Sequence, residues 1–75
     1  MVLEEGVSVA ALRVGNIIDA QDYLGSWYPA IVIDEKDQDQ KQIHFLPYKA
    51  NRDEYFKSSD DAARVAPIYS KTSIP

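Results

Sequence analysis

The stretch Trp27-Tyr28-Pro29-Ala30-Ile31-Val32-Ile33-Asp34 is followed without a break by Asp34-Glu35-Lys36-Asp37-Gln38-Asp39-Gln40-Lys41-Gln42 and then by Ile43-His44-Phe45-Leu46. The first run is aromatic and β-branched, as a strand requires, and its proline sits near the start, where a missing N–H does least harm. The second run has no apolar residue at all, so it reads as a solvated hairpin tip joining Trp27–Asp34 to a strand over Gln42–Leu46. A central hairpin is therefore predicted, with Trp27–Asp34 as the central strand and Pro29 facing away from a ladder partner.

Working outward, Val14-Gly15-Asn16 reads as a turn that launches a first strand, Ile17–Gln21, and Asp22–Ser26 as a loop opened by Gly25. On the other side, Pro47–Arg52 holds turn formers and leads into a short strand, Glu54–Lys57. Ser58-Ser59-Asp60-Asp61 offers capping side chains for one helical turn through Ala63, and Val65-Ala66 makes a closing strand. Several short strands in so small a chain predict an all-β, five-stranded barrel of the SH3-like or Tudor type, with one short helical turn before the last strand. Closing such a sheet removes edges that a small protein could not otherwise cover. Residues 1–11 read as a leader with partial order against the domain, 12–69 as the domain, and 70–75 as a frayed tail.

Composition narrows the chemistry. The 75 residues suffice for one domain, 45% are apolar, and the absence of cysteine removes both a disulfide framework and a thiolate zinc site. No run approaches the roughly 20 apolar residues of a membrane span. The formal charge of −4 disfavours unspecific nucleic-acid binding and favours a basic partner. His44 has no cysteine, second histidine or nucleophile-plus-acid set beside it, and Asp53 and Glu54 point to opposite faces of a strand, so neither a metal centre nor an acid/base pair can be assembled. The expectation is a non-catalytic protein without cofactor.

Four segments in order, Leu12-x-Val14-Gly15-x-x-Ile18-x-Ala20, Gly25-x-Trp27-Tyr28-x-Ala30-x-Val32, Ile43-His44-Phe45 and Arg52-Asp53-Glu54-Tyr55, resemble the chromo-barrel or Tudor-knot family across roughly Leu12 to Ala66. The resemblance implies a chromatin-type reader, nuclear, within a larger multidomain protein. Its expected partner is a histone-like or otherwise basic peptide bearing methylated lysine. In that family the methylammonium sits in an aromatic cage, because a cation poor in hydrogen-bond donors is held by the negative faces of rings within about 6 Å. Carried over, the cage comprises Tyr28, Phe45 and Tyr48, with Tyr23 as a substitute fourth wall. Arg52 stands where relatives often carry an aromatic, and a guanidinium there is expected to repel a cationic guest. Asp22 or Asp53 would supply the carboxylate that a less methylated lysine needs. Trp27 and Tyr55 are assigned to packing and not to the cage.

Two other readings stay open. Lys49, Arg52, Lys57 and Arg64 gather in the second half of the chain and would give a basic face for RNA. Alternatively, the barrel end is closed and the domain is a structural protein-interaction unit. Ile31 and Ile33 share one face of the central strand while Ala30 and Val32 share the other, so both faces are apolar. The Ile31 face would then contact the leader, a neighbouring domain or a second copy.

Overall fold

The computed structural model describes residues 1–73, and it is an all-β, SH3-like half-barrel. Five strands, β1 (Ile17–Gln21), β2 (Trp27–Asp37), β3 (Gln40–Phe45), β4 (Glu54–Lys57) and β5 (Val65–Ala66), form one antiparallel sheet in the order β4-β3-β2-β1-β5. As expected, β2 lies at the centre. The carbonyl of Pro29 accepts from the Leu46 amide, beyond the last ladder pair of β3, Ala30 with Phe45. The side of β2 on which proline lacks an N–H thus faces Leu46 and not away from a partner as expected, so the proline forgoes only the return bond of that terminal pair and interrupts nothing from Ala30 onward.

Strand alternation builds the core. Ile18 and Ala20 on β1, Ala30 and Val32 on β2, Ile43 and Phe45 on β3 and Phe56 on β4 are all buried on the concave face. Burying side chains as large as Phe45 and Phe56 stabilises a domain of this size by about 1.5–3 kcal/mol each.

The hairpin tip is much shorter than its polar composition suggested. Strand pairing continues to Asp37 opposite Gln40, leaving only Gln38 and Asp39 as the turn, where the Asp39 amide donates to Asp37 Oδ1. Ladder bonds are made by the backbone, so charged side chains can line a strand as long as they face water. Two register shifts interrupt this arm, one between Val32 and Asp34 and one between Glu35 and Asp37. The first leaves Ile33 as an extra residue, half-exposed, and resets the alternation of β2. Glu35, not Asp34, then pairs with Lys41 on the same face as Ile43 and Phe45.

That reset explains a charge in the core. Lys41 has no exposed surface, and its Nζ donates to the carbonyls of Ala10 and Leu12 while lying 3.5 Å from Glu35 Oε1. Arg13 donates to the same Glu35 oxygen at 3.0 Å. Burial pushes the Glu35 carboxyl up, but the hydrogen bond and charge of Arg13 and the charge of Lys41 outweigh it and hold the group below its ordinary value of 4.5.

The segment read as a leader is stitched to the sheet. Val9 is buried in the core, Leu3 and Val7 pack against it, Val2 bridges Ile17 in parallel, and the Leu3 amide donates to the Ile17 carbonyl. From the tail, the amides of Lys71 and Thr72 and the Thr72 hydroxyl donate to Asp19, fully buried on the outer face of β1. Residues 74 and 75, also expected to fray, lie outside the described residues.

Two 3-10 turns occur where one was expected, at Ala50–Arg52 and Ala62–Arg64. No side chain caps the second, because the carboxylate of Asp61 takes the Lys57 amide and the Arg64 guanidinium instead. β4 and β5 do not pair. Arg64 crosses the seam between the sheet's ends, donating to the Gln21 carbonyl of β1 and to Glu54 of β4, with its guanidinium 4.2 Å from the Phe56 ring centre.

Lys41→Met would keep most of the stem but remove the ammonium that meets the Ala10 and Leu12 carbonyls, leaving Leu12 only a long contact of 3.5 Å from Arg13. Urea unfolding is expected to show a loss of about 2–4 kcal/mol, with faster exchange of the Leu3 and Leu12 amides; an unchanged midpoint would show that the leader turn is held by packing alone. Glu35, depressed in the folded state, contributes fully above the ordinary carboxylate value and loses that contribution as pH falls through its lower folded value. The stability gap between the parent and Glu35→Gln should therefore be flat near neutrality and close only in acid.

Candidate functional site

Three elements converge at one end of the barrel. Tyr28, on the concave face of β2, follows the same alternation as Ala30 and Val32 and is the first of that series to reach the rim. Tyr48 enters from the turn after β3, where its amide donates to the Phe45 carbonyl. Tyr23 comes from the β1–β2 loop.

That loop is built by Asp22. Its Oδ1 accepts from the amides of Leu24 and Ser26, and the chain reverses through Gly25 at a φ of 90° that other residues rarely adopt. One carboxylate oxygen is thereby committed to the loop. The other, Oδ2, is buried without a hydrogen-bond partner, the one such side-chain atom among the described residues. Glu54 Oε2 accepts the Tyr23 amide and fixes the loop tip against β4, although the Tyr23 ring itself is 70% exposed.

The rings of Tyr28 and Tyr48 meet edge-to-face at 5.0 Å, with the Tyr48 hydroxyl donating to the Tyr28 hydroxyl at 2.9 Å. Phe45 lies 6.1 Å from Tyr28 but is only 1% exposed, so it forms the floor beneath Tyr28 and not a wall open to a guest. The cage assigned from sequence therefore loses one wall to the core. Phe45 shares its parity with Ile43, and that pattern signalled its burial.

Arg52 lies against the two tyrosines that flank Asp22. Its guanidinium carbon lies 4.4 Å from the Tyr48 ring centre and 6.0 Å from that of Tyr23, and Nη2 is 3.5 Å from Asp22 Oδ2. The expectation that a guanidinium here repels a cation omitted the possibility that the rings hold the guanidinium itself. Of the two candidate carboxylates, Asp53 is taken by His44, whose Nδ1 lies 2.7 Å from Asp53 Oδ1. Asp22 faces the site. Trp27 is on the opposite face of β2 from Tyr28, with the Lys71 ammonium 5.8 Å from its ring.

Of the basic face, Arg52 and Arg64 are each paired with carboxylates, and Lys49 and Lys57 remain. Ile31 is half-buried between Ile17 and His44, and Ile33 is more open. A surface hollow of about 390 Å³ lies elsewhere, beside the β2–β3 tip, lined by Asp37, Asp39, Gln40, Lys57, Ser58 and Ser59. Its polar groups already bond one another, as Ser58 does Asp39, whereas the aromatic end holds a buried carboxylate oxygen in want of a donor.

Electrostatics at the aromatic end favour a neutral Tyr48 phenol. The hydrogen bond to Tyr28 pushes the Tyr48 hydroxyl above its ordinary value of 10.0, burial and Asp22 add to this, and only Arg52 opposes it. A phenol with a raised folded value stabilises the fold fully below the ordinary value and loses that contribution as pH rises through the folded one. In an alkaline spectrophotometric titration Tyr48 should ionise late, and Tyr28→Phe, which deletes the acceptor, should bring it back toward 10; coincident titrations in parent and variant would show that the hydroxyl pair does not form.

The chain matches no protein-family model and no curated protein, so the interpretation of this site rests on its geometry.

Proposed function

We propose that the chain is a non-catalytic recognition module that takes a cationic side chain, foremost methylated lysine in a basic peptide, at the barrel end formed by Tyr28, Tyr48, Tyr23 and Asp22. One observation carries this reading: a cation of the protein's own already lies against the Tyr48 face, beside a buried carboxylate oxygen that no hydrogen bond satisfies. Ring faces attract soft, weakly hydrated cations, and a carboxylate at the same point adds a directional partner for any remaining N–H. The rings also reach the rim from separate elements, so a peptide could lie across the loop tip without disturbing the core.

A basic peptide suits a chain of net charge −4. The RNA reading gains nothing from this geometry, because two of its four cations already lie beside carboxylates of the protein. A chromatin setting and a larger host protein belong to the same proposal and rest on the family resemblance.

The test is a titration of the chain with short peptides carrying unmodified, mono-, di- and trimethylated lysine, followed by amide shifts. Shifts at Tyr23, Tyr28 and Tyr48 are expected, and Tyr48→Ala should weaken binding about 3- to 30-fold while leaving the β-sheet amide pattern intact. Shifts confined to Lys49 and Lys57, abolished by salt, would instead point to a phosphate-type partner.

A further inference from the structure

Arg52 and Arg64 both lie over aromatic rings and are held in opposite ways. Arg64 donates to Gln21, Asp61 and Glu54 at 2.6–3.0 Å while stacking on Phe56, so its guanidinium is bonded on its edges as well as its face. Arg52 has its face contacts, to Tyr48 and more distantly to Tyr23, and one long ion pair to Asp22. Among the described residues its side chain donates no hydrogen bond, and its nearest carboxylate oxygen, at 3.5 Å, is the one left unsatisfied. The side chain is 31% exposed and hangs from a 3-10 turn with no buried residue. Lifting it off Tyr48 breaks no side-chain hydrogen bond and disturbs no packed core; what it gives up is the ring contact and the long ion pair to Asp22, which an incoming cation restores.

From this contrast we infer that Arg52 is a displaceable latch: an internal competitor that closes the aromatic site and must swing away before an external cation enters. The inference rests on the reading of the site as a receptor for a cationic side chain, and it adds what regulates entry. Asp22 Oδ2 supplies the difference between the two occupants. Arg52 reaches it too distantly for a hydrogen bond, whereas an ammonium keeping at least one N–H, seated over Tyr48, could donate to it at normal length. The guest gains a bond that the latch does not make, so exchange is favoured by a secondary or tertiary ammonium more than by a quaternary one. Until then the binding-competent state is only a fraction of the population, and apparent affinity falls by that fraction. A face contact of this kind corresponds to a closed state favoured about 3- to 30-fold.

The probe is a short peptide with dimethyllysine between neutral residues, titrated into the full chain by calorimetry and by side-chain NMR. Arg52→Gln, and Arg52→Met as a second variant that keeps apolar cover on Tyr48, should each tighten binding about 3- to 30-fold. Asp22→Asn preserves the Oδ1 acceptor that builds the loop and should weaken binding in both the parent and the Arg52 variants. In the parent, the Arg52 side-chain resonances should lie upfield under the Tyr48 ring and move to solvent values as the peptide saturates. Binding that is unchanged or weaker in both Arg52 variants, with Arg52 still ring-shifted at saturation, would overturn the latch and leave the receptor intact. If neither parent nor variants, all folded by their amide spectra, bind any methylated peptide, the receptor reading falls and the latch with it.

Discussion

A slip of β2 by one residue against its neighbours would turn Ala30 and Val32 to solvent and drive Pro29 and Ile31 inward, because strand side chains alternate with a period of two. The register of this strand is the constraint on which the molecule depends. It is paired on both sides, so it sets what β1 and β3 present to the concave face. Its two ends then carry different chemistry. At one end the series Val32, Ala30, Tyr28 runs out of the core and delivers a ring to the rim. At the other, the bulge at Ile33 reverses the alternation and delivers Glu35 to Lys41, fastening residues 10–13 over the core.

The bulge is thus the reason that a barrel with so small a core can hold an ammonium without exposed surface. Burying an unpaired lysine would be prohibitive. Here two carbonyls and a carboxylate surround Nζ, and the carboxylate is itself stabilised by Arg13. Asp19 follows the same rule on the outer face, its charge met by three donors from the tail. Buried charge is therefore matched at both points where the chain's end segments join the sheet. Asp22 departs from this pattern, which is why the aromatic end invites a functional account.

Much of this was legible in the residues. The aromatic and β-branched run from Trp27 to Asp34 located the central strand, and β1, β4 and β5 begin and end where turn residues marked them. The extent of the β2–β3 arm was not legible, since a backbone ladder needs no apolar side chain and polar residues on both strands resemble a loop. Lys41 was hidden for a further reason: nothing in a run of charged residues marks one for burial when the deciding event is a bulge eight residues earlier. At the site, the convergence of Tyr28 and Tyr48 was implied by the family resemblance, while Tyr23 could be positioned only through Asp22 and Glu54. Arg52 was noticed in sequence for its repulsion of a cationic guest, while its own attraction to the faces of the rings was not read.

That attraction matters for selectivity. An acidic chain with an open aromatic pocket would attract many cationic side chains, and discrimination needs something that disfavours the wrong ones. A resident guanidinium stacked on Tyr48 provides it in the proposed latch, since any guest must do better than Arg52 at the same ring face. An ordinary lysine ammonium is compact and strongly hydrated, and gives up more water to lie against a ring than a methylated one does. A quaternary ammonium loses less water but has nothing to donate to Asp22. The group best placed to displace the latch combines a soft surface with one remaining N–H, so the flaw in the packing, a carboxylate oxygen without a donor, becomes the element that selects the guest.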